Sequence, residues 1–131
     1  MIVLDTHTWI WWVSESKKLS APARKAINNA IKSDNIFISS ISVLEAALLH
    51  FKKRLVLSID FDEWMATSEK LPFISFIPVD NRIAVKSVSL PEPLHRDPAD
   101  RIIISTAIIQ GAELVTKDDK IINYPYVKTI W

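Results

Sequence analysis

Five short, mainly apolar runs punctuate the chain: MIVL at 1–4, IFIS at 36–39, FISFIPV at 73–79, ELVT at 113–116 and VKTI at 127–130. Runs this short and this continuous read as buried strands, paired in parallel with helices over both faces of the sheet. The stretches between them read as helices: from about Thr8, from Ser20 to near Asp34 and Asn35, and over 42–53, 60–70 and 80–89. The longest runs from Pro98 to Gln110, and residues 118–122 form a turn or short helix. Local chemistry marks several boundaries. Ser20-Ala21-Pro22 supplies an N-cap and an early proline, as does Asp97-Pro98. Gly111, the only glycine, stands where a left-handed residue ends a helix. Strands alternating with helices predict an α/β fold built as one domain over 1–131.

Composition adds exclusions. Hydrophobic residues make up 49% of the chain, yet no apolar run approaches the ~20 residues that span a bilayer. The start lacks the basic segment of a secretory leader, and Asp5 interrupts its apolar stretch, so a cytoplasmic location is expected with no membrane partner. Cysteine is absent, which removes disulfide and thiolate chemistry. With 16 basic against 15 acidic residues the net charge is +1. That gives no global signature of nucleic-acid binding, so any basic grip has to be local.

The acidic residues carry the chemical signal. In a parallel α/β sheet, ligands bind at the carboxyl ends of strands. Asp5 directly ends the first strand, either as an N-cap or as a group facing that crevice. Glu45 shares a helix face with Ile41, Leu48 and Leu49, where an unpaired carboxylate is costly to bury. The alternative is a capping box, because Ser42-Val43-Leu44-Glu45 fits S-x-x-E. Asp100 heads the apolar face Ile103, Ile104, Ala107 and Ile108. Asp97 reads as the cap of the same helix, aligned with Arg101 in an exposed i, i+4 pair, and still near enough to reach a site. Asp118, beside Asp119, follows ELVT as a solvated turn residue or a fourth site acid. Carboxylates gathered at one crevice repel and raise each other's pKa, a conflict that a divalent cation removes. Oxygen ligands without Cys or paired His favour Mg²⁺ or Mn²⁺, and with it phosphoryl chemistry.

At this point the chain resembles the PIN-domain family, and within it the VapC-type toxins, over essentially its whole length. Val3-Leu4-Asp5-Thr6 looks like the family's start and Ser40-Ile41-Ser42-Val43-Leu44-Glu45 like its second acidic motif. The stretch from His95-Arg96-Asp97-Pro98-Ala99-Asp100-Arg101 to Ala107 is similar to a segment of one PIN subgroup, with Ser105 where Ala is common. Leu114-Val115-Thr116-Lys117-Asp118 resembles the terminal motif. The resemblance implies a three-layer α/β/α sandwich around a five-stranded, mostly parallel sheet. It implies a Mg²⁺- or Mn²⁺-dependent endoribonuclease for single-stranded RNA with the quartet Asp5, Glu45, Asp100 and Asp118. Asp97 is a further metal ligand there, and Thr6 and Thr116 support by hydrogen bonding. It also implies a homodimer and a cognate antitoxin.

Within that frame Asp5 and Asp100 are the direct ligands and Glu45 the group for proton transfer, since its place on an apolar face raises its pKa most readily. Arg96, Arg101 and Lys117 flank the acidic motifs and are the expected phosphate contacts, whereas Lys52, Lys53 and Arg54 read as a solvated helix end. His95 could contact substrate, but a loop histidine is more often uninvolved. Trp9, Trp11 and Trp12 cannot all enter the core from one helix, so at least one is expected to face a partner, with ordinary packing of large side chains as the alternative. Rival readings are a PIN nuclease of RNA processing, a PIN domain acting only by binding, and a phospho-acceptor domain using Asp80 after the third strand.

Overall fold

The computed structural model describes residues 1–131. The chain runs β1 (Ile2–Leu4), α1 (Thr6–Ser14), α2 (Ala21–Ile31), β2 (Ile36–Ser39), α3 (Ser40–Phe51), α4 (Phe61–Lys70), β3 (Ile74–Ile77), α5 (Asn81–Ser89), α6 (Pro98–Gln110), β4 (Glu113–Val115), α7 (Asp119–Ile122) and β5 (Thr129–Ile130). All five strands form one parallel sheet in the order β3-β2-β1-β4-β5. The sequence of IVL in β1 explains its central place. It offers no polar face, and all three residues are buried.

Alternation along the strands sorts two cores. Ile2 and Leu4 of β1, Ile36 and Ile38 of β2, and Val115 of β4 join Trp9 and Ile10 of α1 and Ala23, Ile27 and Ala30 of α2. Val3 and Leu114 point the other way, onto Ile103, Ile104 and Ala107 of α6. Each layer removes apolar area from water at roughly 25 cal/mol per Å². The sheet thus lies between two helical layers, the α/β sandwich expected. Gly111 ends α6 at φ 64°, and its N–H reaches the carbonyls of Ala107 and Ile108. No helix is long and apolar enough to cross a membrane.

Two boundaries differ from expectation in ways that matter. Helix α1 starts at Thr6 rather than Thr8, because Asp5 caps it by accepting from the Thr6 N–H. Helix α3 starts at Ser40, two residues early, because Ser39 is its N-cap and accepts from the Ile41 N–H. Ser42 therefore lies inside the helix, and the capping box proposed for Ser42 and Glu45 does not form. Leu48, expected to share an apolar inward face with Glu45, is 47% exposed.

Candidate active site

Parallel pairing sets Leu4 beside Val115, so β1 and β4 end together and deliver Asp5 and Thr116 to the same rim. One Asp5 oxygen accepts the Thr6 N–H at 2.8 Å and the other accepts the Thr116 hydroxyl at 2.7 Å. Thr116 Oγ1 accepts in turn from the Asp118 N–H at 3.1 Å. Asp118 caps α7, accepting from the Lys120 N–H at 2.9 Å. Asp97 caps α6 by accepting the Asp100 N–H at 3.1 Å. For Asp5 and Asp118 the capping role and a place at the rim coexist because the helices they open follow the ends of β1 and β4, and Asp97 joins them at the start of α6, which leads back into β4.

Glu45 reaches the rim from the side. Its Oε1 lies 2.6 Å from Thr6 Oγ1, which is also 2.8 Å from Ser42 Oγ. Threonine has a single hydroxyl proton. Given to the carboxylate, it leaves Ser42 to donate to Thr6, so the three side chains form one chain of hydrogen bonds. Ser42 is fully buried and Thr6 nearly so, and this polar pair is satisfied only through that chain.

The carboxylates of Asp5, Glu45, Asp97, Asp100 and Asp118 surround a cavity of about 510 Å³, together with Thr6, His7, Trp11 and Lys117. A cleft of similar volume, about 530 Å³, opens near Met1, Gly111 and Glu113 at the other end of the sheet, but Glu113 is the only carboxylate on it. The chemistry lies with the first. Burial pushes the carboxyl pKa of Asp5, Glu45 and Asp100 upward, each above its ordinary range. Their hydroxyl, amide and imidazole partners oppose this, and the neighbouring carboxylates add to it. The charges are therefore crowded as well as desolvated, which is the condition a cation relieves.

His95, which the sequence leaves ambiguous, belongs to the site. Its Nε2 lies 2.6 Å from Asp100 Oδ2, and both side chains are 18% exposed. An ionised carboxylate can only accept, so toward ionised Asp100 the ring donates through Nε2–H, and Nδ1 is buried without a partner. His95, Asp100 and Asp118 offer ligand atoms within 4.8 Å of one another. A histidine five residues before Asp100 gives no helical-face signal. It becomes recognisable only once the loop folds back over the start of α6.

The expected phosphate contacts divide. Lys117 lines the acidic cavity. Arg96 is exposed and lines a separate cleft of about 190 Å³ with Ser87, Val88 and Pro98. Arg101 is a correction. It forms no exposed pair with Asp97 and is only 5% exposed. Its guanidinium donates to the carbonyls of His95 at 2.8 Å, Leu94 at 2.9 Å and Ser87 at 3.3 Å, and to Glu92 Oε1 at 3.2 Å. With those donors committed, it clamps the loop between α5 and α6 and is not available to grip a substrate. Asp80 is likewise structural: it caps α5, accepting the Ile83 N–H at 2.9 Å, and lies off the acidic cavity.

The PIN domain family model matches residues 2–125. The chain belongs to the PIN domain family. It is 33% identical to Ribonuclease VapC22 of Mycobacterium tuberculosis over 132 aligned positions, covering 99% of this chain and 98% of that protein. Among solved structures, its fold is similar to that of VapBC2 from Rickettsia felis bound to a promoter DNA fragment, with TM-score 0.69, 20% identity, and 98% and 97% of the two chains covered. A toxin–antitoxin complex from Klebsiella pneumoniae aligns with TM-score 0.63 at 20% identity, over 97% and 95%. Within this PIN chain the acidic rim, not the opposite cleft, is the candidate active site, and the phospho-acceptor reading falls away.

Proposed function

We propose that this PIN chain is a VapC-type endoribonuclease that cleaves single-stranded RNA with the help of Mg²⁺ or Mn²⁺, and that it is the cytoplasmic toxin of a type II toxin–antitoxin pair. The observation that carries the reading is the convergence of Asp5, Glu45, Asp100 and Asp118, far apart in the chain, on one cavity at the carboxyl end of the sheet. The full-length likeness to a protein named ribonuclease supports the reaction, and the fold shared with toxin–antitoxin complexes supports an antitoxin as partner.

In this proposal Asp5, Asp100 and Asp118 hold the cation, with Asp97 at the entrance of the same cavity. Oxygen donors with one adjoining imidazole suit a hard divalent ion. When bound, the cation supplies Lewis-acid stabilisation of the charge that develops on the phosphoryl oxygens. Glu45 serves as the proton acceptor. Its half-buried carboxyl is held by Thr6, and its raised pKa brings it nearer the operating range of a general base. Thr116 fixes the Asp5 carboxylate through one oxygen, and Lys117 offers charge to a substrate phosphate.

Asp5→Asn tests the proposal. Cleavage of single-stranded RNA should be abolished while the circular dichroism spectrum stays that of the wild type, and calorimetric titration with Mn²⁺ should show affinity lost. Full activity in that variant, purified free of contaminating nuclease, would remove the reading.

A further inference from the structure

We infer that Trp11, flanked by Lys117 and Lys18, is the nucleotide-holding edge of the acidic cavity, on which an unpaired base stacks while a lysine takes the adjoining phosphate. The inference deepens the ribonuclease reading and rests on it.

Trp11 is the sole apolar side chain on a cavity otherwise lined by carboxylates, Thr6, His7 and Lys117. Its neighbour Trp9 is fully buried and stacks on Trp64 with ring centroids 4.5 Å apart, whereas Trp11 packs only at the border of that core, with the Trp131 ring 5.9 Å away, and keeps part of its surface on the cavity. Trp11 stays half-buried at the mouth. The Lys117 ammonium lies 5.9 Å from its ring centroid and that of Lys18 5.8 Å. The His7 ring is 5.7 Å away at a tilt of 52°. Lys18 pairs with Glu15 at 3.0 Å, whereas Lys117 lies against the ring and forms no ion pair, although carboxylates share its cavity.

Charge then dictates where a polyanion can enter. Most of the cavity wall is carboxylate and repels phosphodiesters. Arg101 is committed to backbone carbonyls, and Arg96 lines a different cleft. Positive charge beside the cavity is left on the Trp11 side. An aromatic face with nearby cations is the combination that holds single-stranded nucleic acid, through base stacking and phosphate contact. Lysine chains are mobile, so an arriving base can replace an ammonium on the ring and free it for phosphate. A base inside a duplex cannot present its face, and this edge therefore selects unpaired strands.

The test uses the full chain with Asp5→Asn as an uncleaving background, with Mg²⁺ and a short fluorescein-labelled single-stranded RNA read by fluorescence polarisation. Adding Trp11→Leu should weaken binding about tenfold or more, and Trp11→Phe should restore most of it. Leucine keeps the apolar bulk but has no aromatic face, so equal binding by the Leu and Phe variants would reduce Trp11 to packing and overturn the inference. Lys117→Ala should lower the slope of log affinity against log salt by about one; an unchanged slope takes Lys117 out of the edge. The wild type's cleavage of the same RNA separates the two levels. A wild type that cuts it while Trp11→Leu binds undiminished sinks this edge alone. A wild type that neither cuts nor binds RNA sinks the ribonuclease reading, and the edge with it.

Discussion

Replacing Arg101 with Met separates a structural arginine from a substrate-binding one. Methionine fills much of the volume but supplies no donor. The carbonyls of Ser87, Leu94 and His95 would each lose an N–H, and the first two belong to buried residues. A hydrogen bond from a charged donor contributes about 1.5–3 kcal/mol, and a buried acceptor left alone costs about 1–3 kcal/mol. His95 is half-buried, so water can replace part of what that carbonyl loses. The net loss is then about 3–5 kcal/mol, a large share of the roughly 5–15 kcal/mol that holds a domain folded. At a typical unfolding entropy per residue, about 1 kcal/mol moves the melting temperature of a 131-residue chain roughly 4 °C. Arg101→Met should therefore melt about 10–20 °C below the wild type by circular dichroism. Arg101→Lys should fall between, since an ammonium cannot span the same fork of acceptors. Glu92→Gln serves as the control. The Glu92 side chain is 58% exposed, so its pairing with Arg101 is solvent-screened and its loss should barely move the transition. A Met variant that melts with the wild type but binds RNA weakly would refute the clamp and return Arg101 to the substrate.

Two further outcomes follow from the site. Asp5, Glu45 and Asp100 all have carboxyl pKa values raised, chiefly by burial, so the folded chain binds their protons more tightly than the unfolded chain does. The stability they contribute is complete below the ordinary carboxylate range of about 4 and is lost as pH rises through their raised folded values. A cation binds the ionised forms. The gap between melting temperatures with Mg²⁺ and with EDTA should therefore widen as pH climbs from the ordinary carboxylate range toward neutrality. The exposed Glu92 carboxyl is shifted the opposite way, by the Leu94 amide and then Arg101, and cancels in that comparison. A gap independent of pH would mean that these acids do not meet the ion. His95 orients Asp100, so His95→Ala should weaken Mn²⁺ binding about 10- to 100-fold by calorimetry, with His95→Gln recovering much of the loss. Equal binding by the Ala variant would remove the orienting role, and tighter binding would show the imidazole competing with the ion.

What was legible in the sequence follows the range of the interactions. The strands could be read because a sheet covered on both faces leaves no polar side, and IVL in β1 has none. Gly111 and the Asp97-Pro98 start of α6 could be read because caps and left-handed turns are decided within a few residues. The four motif acids could be placed at one rim because parallel topology puts every strand's carboxyl end on the same side. What escaped depends on contacts across the chain. Thr6 and Ser42, 36 residues apart, decide that Glu45 serves a hydrogen-bonded chain and not its own helix cap. Arg101 has the spacing of an exposed partner for Asp97, and no local rule shows that the segment carrying Leu94 and His95 returns over it. His95 and Trp11 likewise acquire meaning only from what the fold sets beside them.

The same division bears on how an acidic residue at the rim should be weighed. Asp5, Asp97 and Asp118 each satisfy backbone amides as N-caps, so a local explanation exists for every one and discriminates nothing. Glu45 and Asp100 cap no helix, and both are half-buried among other carboxylates, where burial and like charge disfavour ionisation. Asp5 adds to its cap a second oxygen bound to Thr116 across the sheet, from 111 residues away. In the metal-free chain that crowding works against the fold, and side chains that met only a structural need could be replaced by apolar ones at little cost. The proposed cation would account for their convergence, and the bonds from Thr6, Thr116 and His95 would then keep each carboxylate in place for it.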